Sequence, residues 1–260
     1  MRFAVSIAGS DPTGGAGLQA DLQVFRSHGV HGGGVPTALT VQDGRKVRQV
    51  LPVFPSVVLA QLRGLFEAMR PDAVKIGMLA TDDVVRSVAL GLGSLPADRP
   101  PIVIDPVLAA SDGTPLLERR AYGALQDLLH GAALVTPNLA EAEALTGHAS
   151  TTREGAERAA RALVEDFRAE AALVKGGHRD GDADDLLAWR EAGGVVLRWL
   201  PGARLPEGAH GTGCALSAAI TARLATGEAL LPAVEGARTF VRAALERAVL
   251  RGGARFLGIP

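Results

Sequence analysis

Cysteine is nearly missing from this 260-residue chain. Cys214 is the only one, which excludes an intramolecular disulfide framework and a multi-cysteine metal site. That usage fits a reducing compartment, so a cytoplasmic setting is expected. Lysine is also scarce, occurring only at Lys46, Lys75 and Lys175, so each one is worth following. An excess of either charge is lacking, with 27 Lys and Arg against 28 Asp and Glu. No basic surface therefore argues for nucleic acid or an anionic membrane as a partner. The opening apolar run, Phe3–Ala8, follows Arg2 and soon meets Asp11; it is too short to span a bilayer and lacks a signal-cleavage pattern. Two nucleotide fingerprints are absent as well. No Gly-Lys-Ser/Thr of a Walker loop occurs, and Gly14-Gly15-Ala16-Gly17 lacks the Gly-x-Gly-x-x-Gly spacing of a dinucleotide fold.

What is present is alternation. Short apolar runs at Phe3–Ala8, Val47–Phe54, Ala73–Ile76, Ile102–Ile104, Ala133–Thr136 and Ala172–Lys175 read as strands. Between them, Ala16–Ser27, Ser56–Met69, Asp82–Leu92, Glu118–Leu129, Leu139–Leu145 and Arg153–Phe167 read as helices. Nearly continuous hydrophobicity suits strands covered on both faces, and the β-then-α order predicts an α/β fold with a mostly parallel sheet and helices on both sides. Leu186–Arg190 and Val195–Leu200 predict a hairpin, followed by helices over Thr212–Thr226 and Pro232–Leu250. With no repeat, linker or composition break, residues 1–260 are expected to form one domain.

In such a sheet, ligands collect beyond the carboxyl ends of the strands. The loops there hold Gly9-Ser10-Asp11, Gly77-Met78, Asp105-Pro106, Pro137-Asn138 and Gly176-Gly177-His178. The strongest local signal is His210-Gly211-Thr212-Gly213-Cys214, just before an apolar helix. Glycines allow close backbone approach, and free N–H groups with the helix dipole favour a phosphate. The bland alternative is a glycine-bearing helix start capped by Thr212. Cys214 sits in the first turn, where a thiol pKa tends to fall, which favours a functional thiol over a small buried apolar residue. Asn138 and Glu141, three apart at a helix start, suit either a hydrated Mg²⁺ or a capping box. Asp105 and Lys175 end strands; they could serve a metal and nucleotide phosphates, or be solvated termini. Gln42 carries both a donor and an acceptor, matching an aminopyrimidine edge. His28, His31, His130 and His148 show no metal spacing and read as surface or cap residues.

Together these stretches resemble the hydroxymethylpyrimidine/phosphomethylpyrimidine kinases of the ribokinase superfamily. The matching residues are Ala8-Gly9-Ser10-Asp11, Gly14 to Asp21, Thr37-Ala38-Leu39-Thr40 with Gln42, Lys75 to Leu79, Asp105-Pro106-Val107, Thr136-Pro137-Asn138 with Glu141, Val174 to His178, and His210 to Cys214. They run in family order from residue 8 to about 220. The resemblance implies the ribokinase fold, ATP with Mg²⁺, two successive phosphorylations in thiamine synthesis and a homodimer. Carried over by motif, Asn138, Glu141, Asp105 and Lys175 serve MgATP, with Glu141 and Asp105 nearest the metal. Gly211, Thr212, Gly213 and Cys214 form a catalytic anion hole. Gly9, Ala16, Asp21, Gln42, Met78, Val107 and Cys214 line a pyrimidine pocket. Three departures stand out: Pro12-Thr13 for a family Ser-Ser, Asp43 for Asn, and Ala109-Ala110-Ser111-Asp112 for Ala-Lys-Ser-Gly.

Overall fold

In the computed structural model, residues 1–95, 98–176, 184–202 and 208–260 are described. The first half runs β1 (Phe3–Ser10), α1 (Gly17–Ser27), β2 (His31–Gln42), β3 (Val47–Pro52), α2 (Pro55–Ala68), β4 (Ala73–Ile76), α3 (Asp82–Leu92) and β5 (Ile102–Ile104). It continues through α4 (Tyr122–Leu128), β6 (Leu134–Val135), α5 (Leu139–Thr146), α6 (Arg153–Glu165) and β7 (Ala171–Val174). The hairpin β8 (Asp185–Glu191) and β9 (Gly194–Leu200) follows, then α7 (Thr212–Ala225), α8 (Leu230–Glu246) and a second hairpin, β10 (Val249–Arg251) with β11 (Ala254–Phe256).

Among the described residues, nine strands form one sheet in the order β3-β2-β1-β4-β5-β6-β7-β8-β9. The six central strands pair parallel, while β3, β8 and β9 are antiparallel additions at the edges. Side chains alternate across the sheet with period two. Val5, Ile7, Val74, Ile76, Ile102 and Ile104 join the core under α2 to α6. Ala4, Ala73, Val103, Leu134 and Leu173 join the core under α1, α7 and α8. Both faces are thus dry, which is why these strands read as unbroken apolar runs.

The helices bury what this layering requires. On α2, Val58, Leu62 and Phe66 fall at intervals of four and are buried, at roughly 1.5–3 kcal/mol each. α7 instead buries Ala215, Ala218, Ala219 and Ala222, small side chains that bring its backbone close to the sheet. That close approach matters, because the sheet face beneath α7 carries the polar residues Ser6 and Lys75, which are register partners on β1 and β4.

Three sequence expectations need correction. β2 was not anticipated, because Gly32-Gly33-Gly34 and Pro36 carry turn chemistry. Here the glycines serve packing: a Cβ on Gly32 would lie 2.8 Å from Leu22, on Gly33 2.8 Å from Phe3, and on Gly34 2.7 Å from Leu18. The last expected helix overruns, since α8 ends at Glu246 and Val249-Leu250 open a hairpin turned by Gly252 and Gly253, both with positive φ. The helix expected over Glu118–Leu129 begins as a 3-10 turn, Arg119–Ala121. No described helix is long and apolar enough to cross a membrane.

Candidate active site

The exits of β5, β6 and β7 lie side by side. Lys175 N–H donates to Pro137 O at 2.8 Å, and Asn138 and Lys175 form an isolated parallel bridge. This brings the expected nucleotide residues together. Lys175 Nζ is 2.9 Å from Asp105 Oδ1, and Asp105 is only 2% exposed. Asp105 also accepts from Thr136 Oγ1 at 3.3 Å and from Ser217 Oγ of α7 at 3.2 Å. Burial pushes the Asp105 carboxyl up, but Lys175 and Lys75 outweigh it and hold the group below its ordinary range. Lys175 shifts the other way: burial pulls it down, and Asp105 with Glu141 more than restores it. Neither residue is a solvated strand terminus.

Asn138 and Glu141 do form the capping box. Asn138 Oδ1 accepts the Glu141 N–H at 2.9 Å, and Glu141 Oε2 accepts the Asn138 N–H at 2.8 Å. The cap and the charge cluster coexist. Glu141 is buried, which pushes its carboxyl up to about 7 against the pull of Lys175, while the nearby Asp105 charge adds to the rise. Among the described residues there is no group of three His, Cys, Asp or Glu side chains able to hold a metal unaided.

Facing this cluster is the start of α7. Gly211 is its N-cap, with φ of 80° in the left-handed region, and as a glycine it brings no side chain of its own to cap the helix. The alternative of Thr212 as the cap is therefore corrected: Thr212 is the first helical residue, and its hydroxyl donates back to Ala209 O at 2.8 Å. A helix start leaves its first amides without intrahelical partners, and such amides suit an anionic ligand. A Cβ on Gly213 would lie 3.2 Å from Lys175 Nζ and 3.9 Å from Asp105 Oδ2. The helix terminus and the lysine thus share one small space, where dipole and ammonium both favour an anion.

Cys214 is partly buried in that first turn. Contrary to the expectation from its position, burial pushes the thiol up to about 11. Lys75 and a hydrogen bond donated by the Gly17 N–H act against the rise, but Asp105 and Asp21 reinforce it.

Of the expected pocket residues, Gly9, Met78 and Val107 come together. Met78 is buried with Ala38 and Ala80, and Val107 packs on the same cluster. A Cβ on Gly9 would lie 2.7 Å from Met78 Sδ, so the end of β1 rests directly on that methionine. Ala16, the N-cap of α1, lies against Gly211, whose Cβ would stand 3.1 Å from Ala16 Cα. Gln42, at the end of β2, donates from Nε2 to Thr40 Oγ1 at 2.7 Å, and Thr40 donates on to Ser10 O at 2.9 Å. Asp21 lies deeper, fully buried and paired with Lys75. Gly177 and His178 fall outside the described residues. Sequence reasoning gave no role to Lys75, Asp11, His210 or Ser217. The rarity of lysine pointed to the first; Ser217, inside an apolar helix, carried no signal at all.

A doubly covered parallel sheet with an anion-ready helix start at its carboxyl edge is the arrangement of the ribokinase-like small-molecule kinases. The comparisons agree. The solved structure of a Bacillus subtilis pyridoxal kinase in complex with ADP is 30% identical, with a TM-score of 0.89, covering 100% of this chain and 97% of that one. A phosphomethylpyrimidine kinase from Clostridium difficile is 31% identical, with a TM-score of 0.81 over 93% of this chain and 98% of that one. The sequence model of the phosphomethylpyrimidine kinase family matches residues 11–256, and the chain belongs to that family. The hydroxymethylpyrimidine/phosphomethylpyrimidine kinase of Rhizobium meliloti is 43% identical over 250 residues, 95% of this chain and 91% of that protein.

Proposed function

We propose that the chain transfers the γ-phosphoryl group of ATP to 4-amino-5-hydroxymethyl-2-methylpyrimidine, and then to the resulting monophosphate, in thiamine synthesis. The observation that carries this reading is the meeting of the open α7 terminus with Lys175 beside the Met78–Val107 wall. In this reading Lys175, Asn138, Glu141 and Asp105 serve the nucleotide. The amides of Thr212, Gly213 and Cys214 receive charge that develops on the transferred group. Gly9, Ala16, Met78 and Val107 enclose the pyrimidine ring, and Gln42 pairs with its edge.

Mg²⁺ fits the donor set. Glu141 is a buried carboxyl close to neutrality, and a cation beside it favours the ionised form. The Asp105 oxygens are already engaged by Lys175, Thr136 and Ser217, so Glu141 and Asp105 would hold a hydrated Mg²⁺, which keeps several of its waters. When bound, it neutralises phosphate charge during transfer. The chain's own residues position the acceptor oxygen in line with the phosphorus. Because the transition state is loose, the γ-phosphorus bond to ADP breaks as the new O–P bond forms, and the acidified alcohol proton can pass late to water, so no strong resident base is required.

The partner we assign is a second copy of the chain in a cytoplasmic setting. Leu39 and Val41 are 51% and 47% exposed, on the same face of the β2–β3 ribbon as Leu51, which pairs with Leu39. Leu39→Glu should then halve the mass seen by light scattering. The substrate test is mass spectrometry of products from ATP with the pyrimidine alcohol, its monophosphate or pyridoxal. Pyrimidine mono- and diphosphate are expected. Phosphorylation of pyridoxal alone would overturn the substrate, and no phosphorylated product would overturn the kinase reading.

A further inference from the structure

Two loops that meet at the candidate site are joined by a long-range side-chain hydrogen bond, besides the one from the Gly17 amide to Cys214. Asp11, in the loop after β1, is 1% exposed and acts as a hub. Its carboxylate accepts from Thr13 N–H at 2.9 Å, from Thr13 Oγ1 at 2.8 Å and from Ala16 N–H at 2.9 Å. These bonds fold the turn that leads into α1. A further bond crosses the site, with His210 Nε2 lying 2.8 Å from Asp11 Oδ2. Burial pushes the Asp11 carboxyl up, but the His210 and Thr13 bonds prevail and keep it below its ordinary range. An ionised carboxylate only accepts, so Nε2 carries the hydrogen. His210 immediately precedes Gly211, the N-cap of α7.

The junction around this bond has no slack. A Cβ on Gly211 would run into the Gly15 carbonyl. A Cβ on Gly15 would lie 2.6 Å from His210 Cδ2 and 2.7 Å from Phe256 Cδ1. Behind the imidazole stands β11. Arg255 O accepts the His210 N–H at 2.9 Å, and the Phe256 ring meets the imidazole edge-on with centroids 6.1 Å apart. Phe256 also lies against Gly44, at the turn between β2 and β3. The C-terminal hairpin therefore packs against His210 as well.

We propose that the Asp11–His210 hydrogen bond is a register clamp that fixes the Gly211–Cys214 amides against the loop carrying Ala16 and Gly17. This rests on the kinase reading above. One loop borders the acceptor and the other receives the phosphoryl group, so the bond sets their relative placement. A misplacement of about 1 Å between reacting groups costs roughly 10²-fold in rate. His210 acts through Gly211 and is a positioning residue. Its removal should lower kcat while leaving the KM for ATP nearly unchanged.

The test compares His210→Leu with His210→Gln, whose Nε2 can reach the same carboxylate. Hydrogen exchange on the substrate-free protein reads the clamp directly. In His210→Leu, exchange at residues 14–16 and 211–214 should rise about ten-fold or more, the gap in local stability left by one lost charge-assisted bond. Exchange in β4 and α8 should stay as in the wild type. Turnover with the pyrimidine alcohol should fall at least ten-fold in kcat, with the KM for ATP within about three-fold. His210→Gln should restore both readouts. Unchanged local exchange, a rise spread over the whole chain, or failure of glutamine to rescue would each overturn the clamp. So would a local rise with kcat intact. If the wild-type protein phosphorylates nothing, the kinase reading fails alone and exchange still decides whether the two loops are clamped.

Discussion

Lys75 Nζ lies 2.7 Å from Asp21 Oδ2, and neither side chain is exposed to solvent. Lys75 is on β4 and Asp21 on α1, so the pair ties the sheet to a helix. Ser6 Oγ adds a third partner at 2.5 Å from the same carboxylate oxygen. Burial alone would pull the Lys75 ammonium down, but Asp21 outweighs that loss and keeps it charged. Among the described residues the second Asp21 oxygen, also buried, has no hydrogen-bond partner, and burial raises the Asp21 carboxyl against the pull of Lys75.

Removing one member of such a pair leaves a lone buried charge. Lys75→Met should destabilise the protein by about 3–5 kcal/mol, and adding Asp21→Asn should recover most of that loss. Urea unfolding of the single and double variants measures both. A single-variant loss below about 0.5 kcal/mol, the range of ordinary surface changes, would show that the pair contributes little.

The fold was legible wherever local pattern and tertiary role coincide. Asp82–Leu92 starts with the Thr81 cap and repeats its apolar positions at helical spacing, and α3 occupies that range without change. Strand-end residues were legible too, because a parallel sheet puts them at one edge; Asp105 and Lys175 lie 70 positions apart yet touch. What could not be read depends on partners that sequence spacing does not reveal. Asp11 and His210 are 199 positions apart, and neither neighbourhood names the other. The Cys214 thiol shows a different limit. Its helix position argues for a lowered pKa, but the balance is decided by burial and by Asp105 and Asp21, which only the packing of α7 brings near.

The capping box makes Asn138 and Glu141 informative as a pair. Glu141→Gln keeps an acceptor for the Asn138 N–H and loses only charge, so stability should change by less than about 1 kcal/mol. Asn138→Ala should cost about 1 kcal/mol, the usual loss for an N-cap. Both variants should turn over at least ten-fold more slowly at low Mg²⁺, with partial rescue as Mg²⁺ is raised; a transition-state charge contact is worth about that much. Unchanged turnover in both at low Mg²⁺ would remove these residues from metal handling. Loss of turnover in step with loss of folding in Asn138→Ala alone would reduce its part to capping.

Cys214, as the only cysteine, reports on its own environment. The thiolate is the reactive form, so alkylation by iodoacetamide follows the ionised fraction. With the thiol pushed up to about 11, the rate should climb about ten-fold per pH unit from pH 7 to 10 without a plateau. A plateau by pH 9 would mean that the helix terminus lowers the thiol after all. The direction bears on mechanism. At pH 7 a thiol of this kind is about 10⁻⁴ ionised, too little for a resting general base. The first acceptor is a neutral alcohol, whereas the second is a phosphate monoester already largely ionised, with a second pKa of about 6. A base would therefore matter to the first transfer far more than to the second. If Cys214 instead contributes its backbone N–H and its fit against the Gly17 amide, both transfers should suffer equally. Cys214→Ser keeps the amide and a similar shape, so equal fractional losses, each below about ten-fold, are expected in single-turnover reactions started from the alcohol and from the monophosphate with saturating MgATP. A loss confined to the alcohol reaction would instead make Cys214 the proton acceptor.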